Sequence, residues 1–300
     1  MTAECVLDCK DELCEGPIWS KEDHSLYWTD IGARAIRRWN PATGEKVTFD
    51  LPETVTALSG RASGGWILAT DKGVVLWDPD TDVWQRIHDP EKDLPDNRMN
   101  DGKTDRQGRF WAGSMYNNWS PNGENREILL NRGNLYRFDP DGAYKKFESG
   151  ISYSNTLVWS PDDTIFYFAD SFANTIYTYD FDAATGDISN RRDFFDASAD
   201  PSLGMPDGSE IDAEGYIWNT RYGGGCVVRI APDGSIDRKI KLPCPRITSA
   251  IFGGDDLDTL YIVTAWNGAD TAERAEFPLA GSIFAIDPGV RGIPQVPYSG

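Results

Sequence analysis

A pair of strands rich in aromatic and β-branched residues recurs six times along this chain, roughly 40 to 55 residues from one copy to the next. In the first copy Leu26-Tyr27-Trp28-Thr29 leads to Ile36-Arg37-Arg38-Trp39, and in the fourth Ile165-Phe166-Tyr167-Phe168 leads to Ile176-Tyr177-Thr178-Tyr179. The other four centre on Trp66-Ile67-Leu68, Phe110-Trp111, Tyr216-Ile217-Trp218 and Leu260-Tyr261-Ile262. Most copies then pass through an Asp-Pro or Gly-bearing turn, such as Asp139-Pro140-Asp141-Gly142, into a polar last strand. Four short strands at this period make one blade of a β-propeller, so six copies predict an all-β, six-bladed β-propeller. We read it as one domain over residues 1–300 with few helices, since no apolar period of 3.6 residues is sustained.

Composition narrows the function. A net charge of −19 argues against binding nucleic acid or an anionic membrane, because both attractions need clustered Lys and Arg. A metal cation or a neutral small molecule fits that acidity, which also serves solubility. No apolar run reaches the roughly 18 residues of a membrane span, and Met1-Thr2-Ala3-Glu4-Cys5 lacks the basic start of a signal peptide. A cytoplasmic location is expected. Cys5, Cys9, Cys14, Cys226 and Cys244 are an odd number without C-x-x-C spacing, so we expect reduced thiols.

In a propeller the first strand of every blade lines the central channel, and its leading residues converge at one mouth. The equivalent positions are Glu15, Thr56, Asn100, Asn155, Asp207 and Thr248, within a residue either way. Glu15, Asn155 and Asp207, with Asn100 beside them, form a hard oxygen set without imidazole or thiolate. Such a set favours calcium, magnesium or manganese over a closed zinc site, while zinc and iron(II) stay open because availability also settles occupancy. Asp-Gly and Asn-Asp-Gly are equally turn signals, so spacing alone leaves a metal site and plain turns as alternatives. The two histidines, His24 and His88, lie in polar turns and are expected to be solvated; with no G-x-S-x-G elbow, a Ser-His-Asp triad is not expected. The Asn- and Gly-rich stretch from Tyr116 to Arg132 is expected to be a loop beside the channel.

Glu15-Gly16-Pro17-Ile18-Trp19, Arg98-Met99-Asn100-Asp101-Gly102-Lys103, Trp111-Ala112-Gly113-Ser114-Met115, Ser154-Asn155 with Trp159-Ser160-Pro161-Asp162, and Pro206-Asp207-Gly208 occur in this order. In that combination the chain resembles the senescence marker protein, regucalcin and gluconolactonase family, and within it bacterial aldonolactonases. The resemblance implies one divalent metal held by Glu15, Asn155 and Asp207, with Arg98 and Asn100 binding substrate. It also implies a metal-dependent hydrolysis of a sugar (aldono) lactone, such as a pentono- or hexonolactone, to the aldonic acid. An acidic substrate-binding residue of animal members corresponds here to Asn117 or Asn118. Two residues depart from the family pattern: Cys14 and Thr156 stand where glycine is usual, and a positive φ at position 156 would strain a β-branched residue.

With a metal polarising the lactone carbonyl and lowering the pKa of water, Asp207 is the expected proton acceptor. The expected partner is a small-molecule sugar lactone, and the chain is expected to be a monomer or weak homo-oligomer. Two alternatives keep the scaffold: a calcium-dependent organophosphate or aryl ester hydrolase, and a non-enzymatic calcium-binding propeller.

Overall fold

The computed structural model describes residues 2–119 and 126–300. Within them the chain forms six four-stranded antiparallel sheets arranged as a six-bladed β-propeller. Five blades take their strands consecutively, the first from Cys14–Ser20, Ser25–Asp30, Ala35–Trp39 and Lys46–Asp50. The aromatic strands that define the repeat are each blade's second and third strands; in Ile165–Asp170 every residue but the first is buried. Outermost strands face solvent on one side and alternate accordingly, Lys46–Asp50 burying part of every second residue. The innermost strands meet neighbours on both faces, so all of Ile247–Gly253 is buried.

The sixth blade is built differently. Ile247–Gly253, Thr259–Thr264 and Ile283–Ile286 come from the C-terminal part, but the outermost strand is Glu4–Leu7 from the other end of the chain, paired antiparallel with Ile283–Ile286. This pairing closes the ring and removes an exposed sheet edge. The residues after it run back across the base: Ala213 N donates to Arg291 O at 2.9 Å, Tyr298 N to Gly60 O at 2.8 Å and Ser299 N to Gly108 O at 3.0 Å. Gly60 is the last residue of its inner strand, so the tail lies at the end opposite the leading residues.

A buried carboxylate locks the corner between first and second strands in two blades, at the same Asp-x-x-Gly-x-x-Trp spacing. Asp212 Oδ1 accepts from the backbone of Glu214 and Tyr216, both at 3.0 Å, while Oδ2 takes Trp218 Nε1 at 2.9 Å and Arg229 Nη2 at 2.7 Å. Asp105 does the same with Gln107, Arg109 and Trp111. Turn donors, an indole and a cation thus satisfy each buried charge completely.

Among the described residues the helical content is two single-turn 3₁₀ segments and the helix Thr271–Glu276, and no helix is long and apolar enough to cross a membrane. The expected loop from Tyr116 to Arg132 includes residues 120–125, which lie outside the described part. His24 is exposed and paired with Asp255 at 2.8 Å. His88 departs from expectation: it is half-buried between Phe138 and Tyr144, with centroids at 5.4 and 5.1 Å, and burial lowers its pKa.

Candidate metal and substrate site

All six inner strands are irregular at their leading residues, and the form of the irregularity sorts them. In four, two residues oppose one across the ladder: Gly16-Pro17 after Glu15, Asn100-Asp101, Thr156-Leu157 after Asn155, and Asp207-Gly208. In the other two, a single residue, Thr56 or Thr248, is inserted opposite none. A bulge re-aims the side chain beside it. The four wide bulges carry Glu15, Asn100, Asn155 and Asp207. The two threonines instead turn back to the backbone, Thr56 Oγ1 to Ala69 O at 3.4 Å and Thr248 Oγ1 to Cys14 O at 2.5 Å. Two of the six expected positions are therefore spent on holding strands together.

Gly16 has a φ of 51°, the left-handed conformation such a bulge demands. Gly208 is required by crowding: a Cβ there would lie 2.3 Å from Ser249 Oγ and 2.9 Å from Thr248 O on the next inner strand. The Asp-Gly pair at 207–208 is thus a close approach of two strands and not a hairpin turn.

Asn155 is oriented by its neighbours. Asp170 accepts from the backbone of Ser152 and Tyr153 at 2.9 and 3.1 Å and caps the 3₁₀ turn Ser171–Ala173, fixing Ser171 against the site. Ser171 Oγ gives its hydrogen to Pro206 O at 2.7 Å, so toward Asn155 it can only accept, and it does so from Nδ2 at 2.8 Å. Asn155 Oδ1 is thereby turned to the other side, where it accepts from Asn100 Nδ2 at 3.1 Å. Asn100 also gives Nδ2 to Ser154 O at 2.8 Å, and its Oδ1 accepts from Arg98 Nη1 at 2.7 Å.

Arg98 is buried and continues the chain. Nη1 also donates to Met99 O at 2.8 Å, Nη2 donates to Asn118 Oδ1 at 3.0 Å, and Nε is buried without a hydrogen-bond partner among the described residues. Asn118, Arg98, Asn100 and Asn155 therefore form one polar relay. Of the two asparagines left open by the sequence, Asn118 faces the site; Asn117 Oδ1 caps its own loop through Trp119 N at 3.0 Å.

The charges are acidic. Burial, then the charges of Glu15 and Asp101, hold the Asp207 carboxyl well above the ordinary range. Burial, then Asp101, pushes Glu15 up to about 8, with Arg98 pulling the other way. Burial brings Asp101 to about 6, with Lys103 opposing. Three carboxylates thus repel one another within the channel, and Asp101, which reads in the sequence as part of an Asn-Asp-Gly turn, is one of them. Asp207 Oδ1 is buried with no hydrogen-bond partner among the described residues.

A cavity of about 130 Å³ opens over this group, lined by Asn118, Asn155, Asp207, Tyr153, Phe172 and Met205 among others. Tyr153 feels Arg98, Asp207 and Glu15, and Phe172 packs at 5.9 Å from its ring. Both were missed in the sequence, where aromatic residues mark strands everywhere.

The residues present fit a hard divalent cation: two carboxylates, an amide oxygen fixed in orientation, an unpartnered buried oxygen, and like charges that a cation would relieve. A second cluster, Cys9, Asp11 and Cys14, has ligand atoms within 4.8 Å of one another, but Asp11 already bonds Trp28 Nε1 at 2.8 Å and Arg37 at 3.0 Å. Cys14 is a buried free thiol that joins the core.

The family profile described as SMP-30/Gluconolactonase/LRE-like region matches residues 13–266. Regucalcin from Oryctolagus cuniculus is 37% identical over 301 residues, 99% of this chain and 98% of the relative, and Homo sapiens regucalcin is likewise 37% identical over 303. A solved structure of regucalcin from Agrobacterium tumefaciens, described as a calcium-binding protein, superposes with a TM-score of 0.92 at 29% identity, over 100% of this chain and 98% of that one. A gluconolactonase from Xanthomonas campestris shares the fold, with a TM-score of 0.75 at 20% identity, over 94% of this chain and 87% of that one.

Proposed function

The chain belongs to the SMP-30/gluconolactonase/LRE-like family, and from that premise we propose that it is a hydrolase opening a sugar lactone to the aldonic acid with the help of one divalent metal. The observation that carries this reading is the buried, unpartnered Oδ1 of Asp207 beside Glu15 and the oriented Asn155 oxygen. Glu15, Asn155 and Asp207 would hold the metal, which supplies a Lewis acid for the lactone carbonyl and lowers the pKa of water.

The remaining chemistry belongs to the chain. Asp207 takes the proton of the attacking water; such general-base help is worth about 10² to 10⁴ in rate. Asn118 is positioned to bond ring hydroxyls, with Arg98 and Asn100 holding it and Asn155 in register through the relay. A cavity of about 130 Å³, well below the ~300 Å³ at which drug-sized sites begin, suits a single small ring.

Phe172 and Met205 give this cavity an apolar side, which favours an aryl ester or organophosphate as the second reading. The test is acid release from a panel of aldonolactones and aryl esters, using chelator-stripped protein with calcium, magnesium, manganese, zinc or iron(II) added back singly. Metal-dependent opening of one or two sugar lactones, above the spontaneous rate, is expected. Turnover of aryl esters alone would favour the second reading, and metal binding without turnover of any substrate would leave a calcium-binding propeller.

A further inference from the structure

Thr156 adopts a φ of 56°, a left-handed conformation that crowds a β-branched side chain against its own backbone. Its counterpart on the first blade, following Glu15 as Thr156 follows Asn155, is Gly16 at a φ of 51°. The chain therefore makes the same bulge twice, once with the residue that adopts it freely and once with one that resists it. Strain of this kind persists only where the surroundings hold it, and it concentrates at functional sites.

What holds it is the hydroxyl. Thr156 Oγ1 donates to Asp207 O at 2.6 Å, crossing from the fourth inner strand to the fifth. With its hydrogen committed there, Oγ1 accepts from Asn219 Nδ2 at 3.3 Å and from Ser209 Oγ at 3.0 Å. Asn219 in turn is fixed because its Oδ1 accepts from the buried Arg221 Nη1 at 2.9 Å, leaving Nδ2 to face Thr156, Ser209 and Asp207 O. The N–H of Thr156 meets the Asp101 carboxylate. Every member from Arg221 to Thr156 is buried, so none of these bonds competes with bulk water. On the near side of Asp207, Ser171 holds the carbonyl of Pro206. The peptide group after Asp207 is thus tied to the strand that carries Asn155, and the one before it to Ser171, which also holds the Asn155 side chain.

We propose that Thr156 is a positioning residue: its hydroxyl fixes the main chain of Asp207 relative to Asn155, and so sets the spacing of the oxygen donors that take the metal. This inference rests on reading Glu15, Asn155 and Asp207 as that donor set. A glycine would adopt the bulge with less strain but remove the hydroxyl that meets Asp207 O, Ser209 Oγ and Asn219 Nδ2 across the gap between the two strands.

The test separates positioning from simple stability with three substitutions, Thr156→Ser, Thr156→Val and Thr156→Gly. Thermal unfolding is followed on chelator-treated protein, and calcium and manganese affinities are measured by calorimetry on the same samples. Thr156→Ser keeps the hydroxyl and is expected to bind within about threefold of the parent. Thr156→Val and Thr156→Gly are expected to bind about 10- to 100-fold more weakly, the usual cost of losing a group that orients a ligand. Thr156→Gly is expected to do so without a lower unfolding temperature, a dissociation that a purely structural role would not produce. Parent-like affinity in Thr156→Gly, or equal losses in Thr156→Ser and Thr156→Val, would overturn the proposal. Should Thr156→Gly fail to fold, the order of Ser against Val decides alone. If the parent protein binds neither of these cations, nor magnesium, zinc or iron(II), the donor-set reading falls and this one falls with it.

Discussion

Removing the metal should make stability fall as pH rises, an inversion of the usual carboxylate behaviour. Glu15 titrates at about 8 in the folded chain against 4.5 as its ordinary value. Between those values the native state carries a proton that the unfolded state has lost. Stability is therefore fully present below about pH 4.5 and declines as pH rises toward 8, with a slope of about 1.4 kcal/mol per pH unit for one such group. Titrating alone, Glu15 accounts for a loss of about 3 kcal/mol between about pH 5 and about pH 7.5. Asp101 and Asp207, both raised, act in the same direction over their own ranges. His88, whose pKa is lowered, opposes them weakly below its ordinary 6.5. The exposed carboxylates held low by turn donors, such as Asp162 and Asp196, titrate below this window.

The assay is urea denaturation of chelator-treated protein across that pH range, repeated with saturating calcium and with a Glu15→Gln variant. A bound cation favours the ionised carboxylates, so the loaded protein should lose the downward slope and release protons on binding. Glu15→Gln should flatten the slope of the stripped protein and stabilise it at the alkaline end. Stability of the stripped protein that stays level or rises between pH 5 and 7.5, or an unchanged slope in Glu15→Gln, would refute the electrostatic account of the site.

Asp207→Ala should abolish cation binding in calorimetry and lactone turnover together while leaving the circular dichroism spectrum unchanged; an active variant would remove Asp207 from the mechanism. Asp212→Ala should cost about 3 kcal/mol in urea denaturation, because it strands the Trp218 indole and two backbone donors, while Glu214 and Asp237 still compensate Arg229. Deleting residues 2–7 should expose the edge of Ile283–Ile286, lowering the unfolding temperature and producing concentration-dependent self-association in size-exclusion chromatography.

The propeller was legible because a blade's second and third strands are buried on both faces, so their aromatic and β-branched content stands out at a fixed period. Closure by Glu4–Leu7 was not. Its four residues, Glu-Cys-Val-Leu, lie on a half-exposed outer strand and carry no periodic signal of their own. The tail across the base was equally hidden, since it is held by backbone bonds that any sequence could make. His88 looked solvated because its neighbours in sequence are polar, whereas its ring contacts, Phe138 and Tyr144, come from the next blade.

At the site, residue type found the ring of leading positions but could not rank them. Thr56 and Thr248 are as polar as Asn100, and what separates them is whether two residues or one are inserted into the strand, a property of pairing between segments. A partial signal did exist. Three of the four wide bulges have glycine within or directly after them: Gly16, Gly102 and Gly208. The fourth has Thr156. Where glycine forms the bulge the backbone is free to settle; where threonine forms it, a hydroxyl bonded to the neighbouring strand is needed to hold it. The departure from glycine at position 156 is, on this geometry, the contact that ties the strand of Asn155 to Asp207. The bulges separate Glu15, Asn100, Asn155 and Asp207 from the two threonines, and the Thr156 hydroxyl ties the main chain of Asp207 to the strand of Asn155.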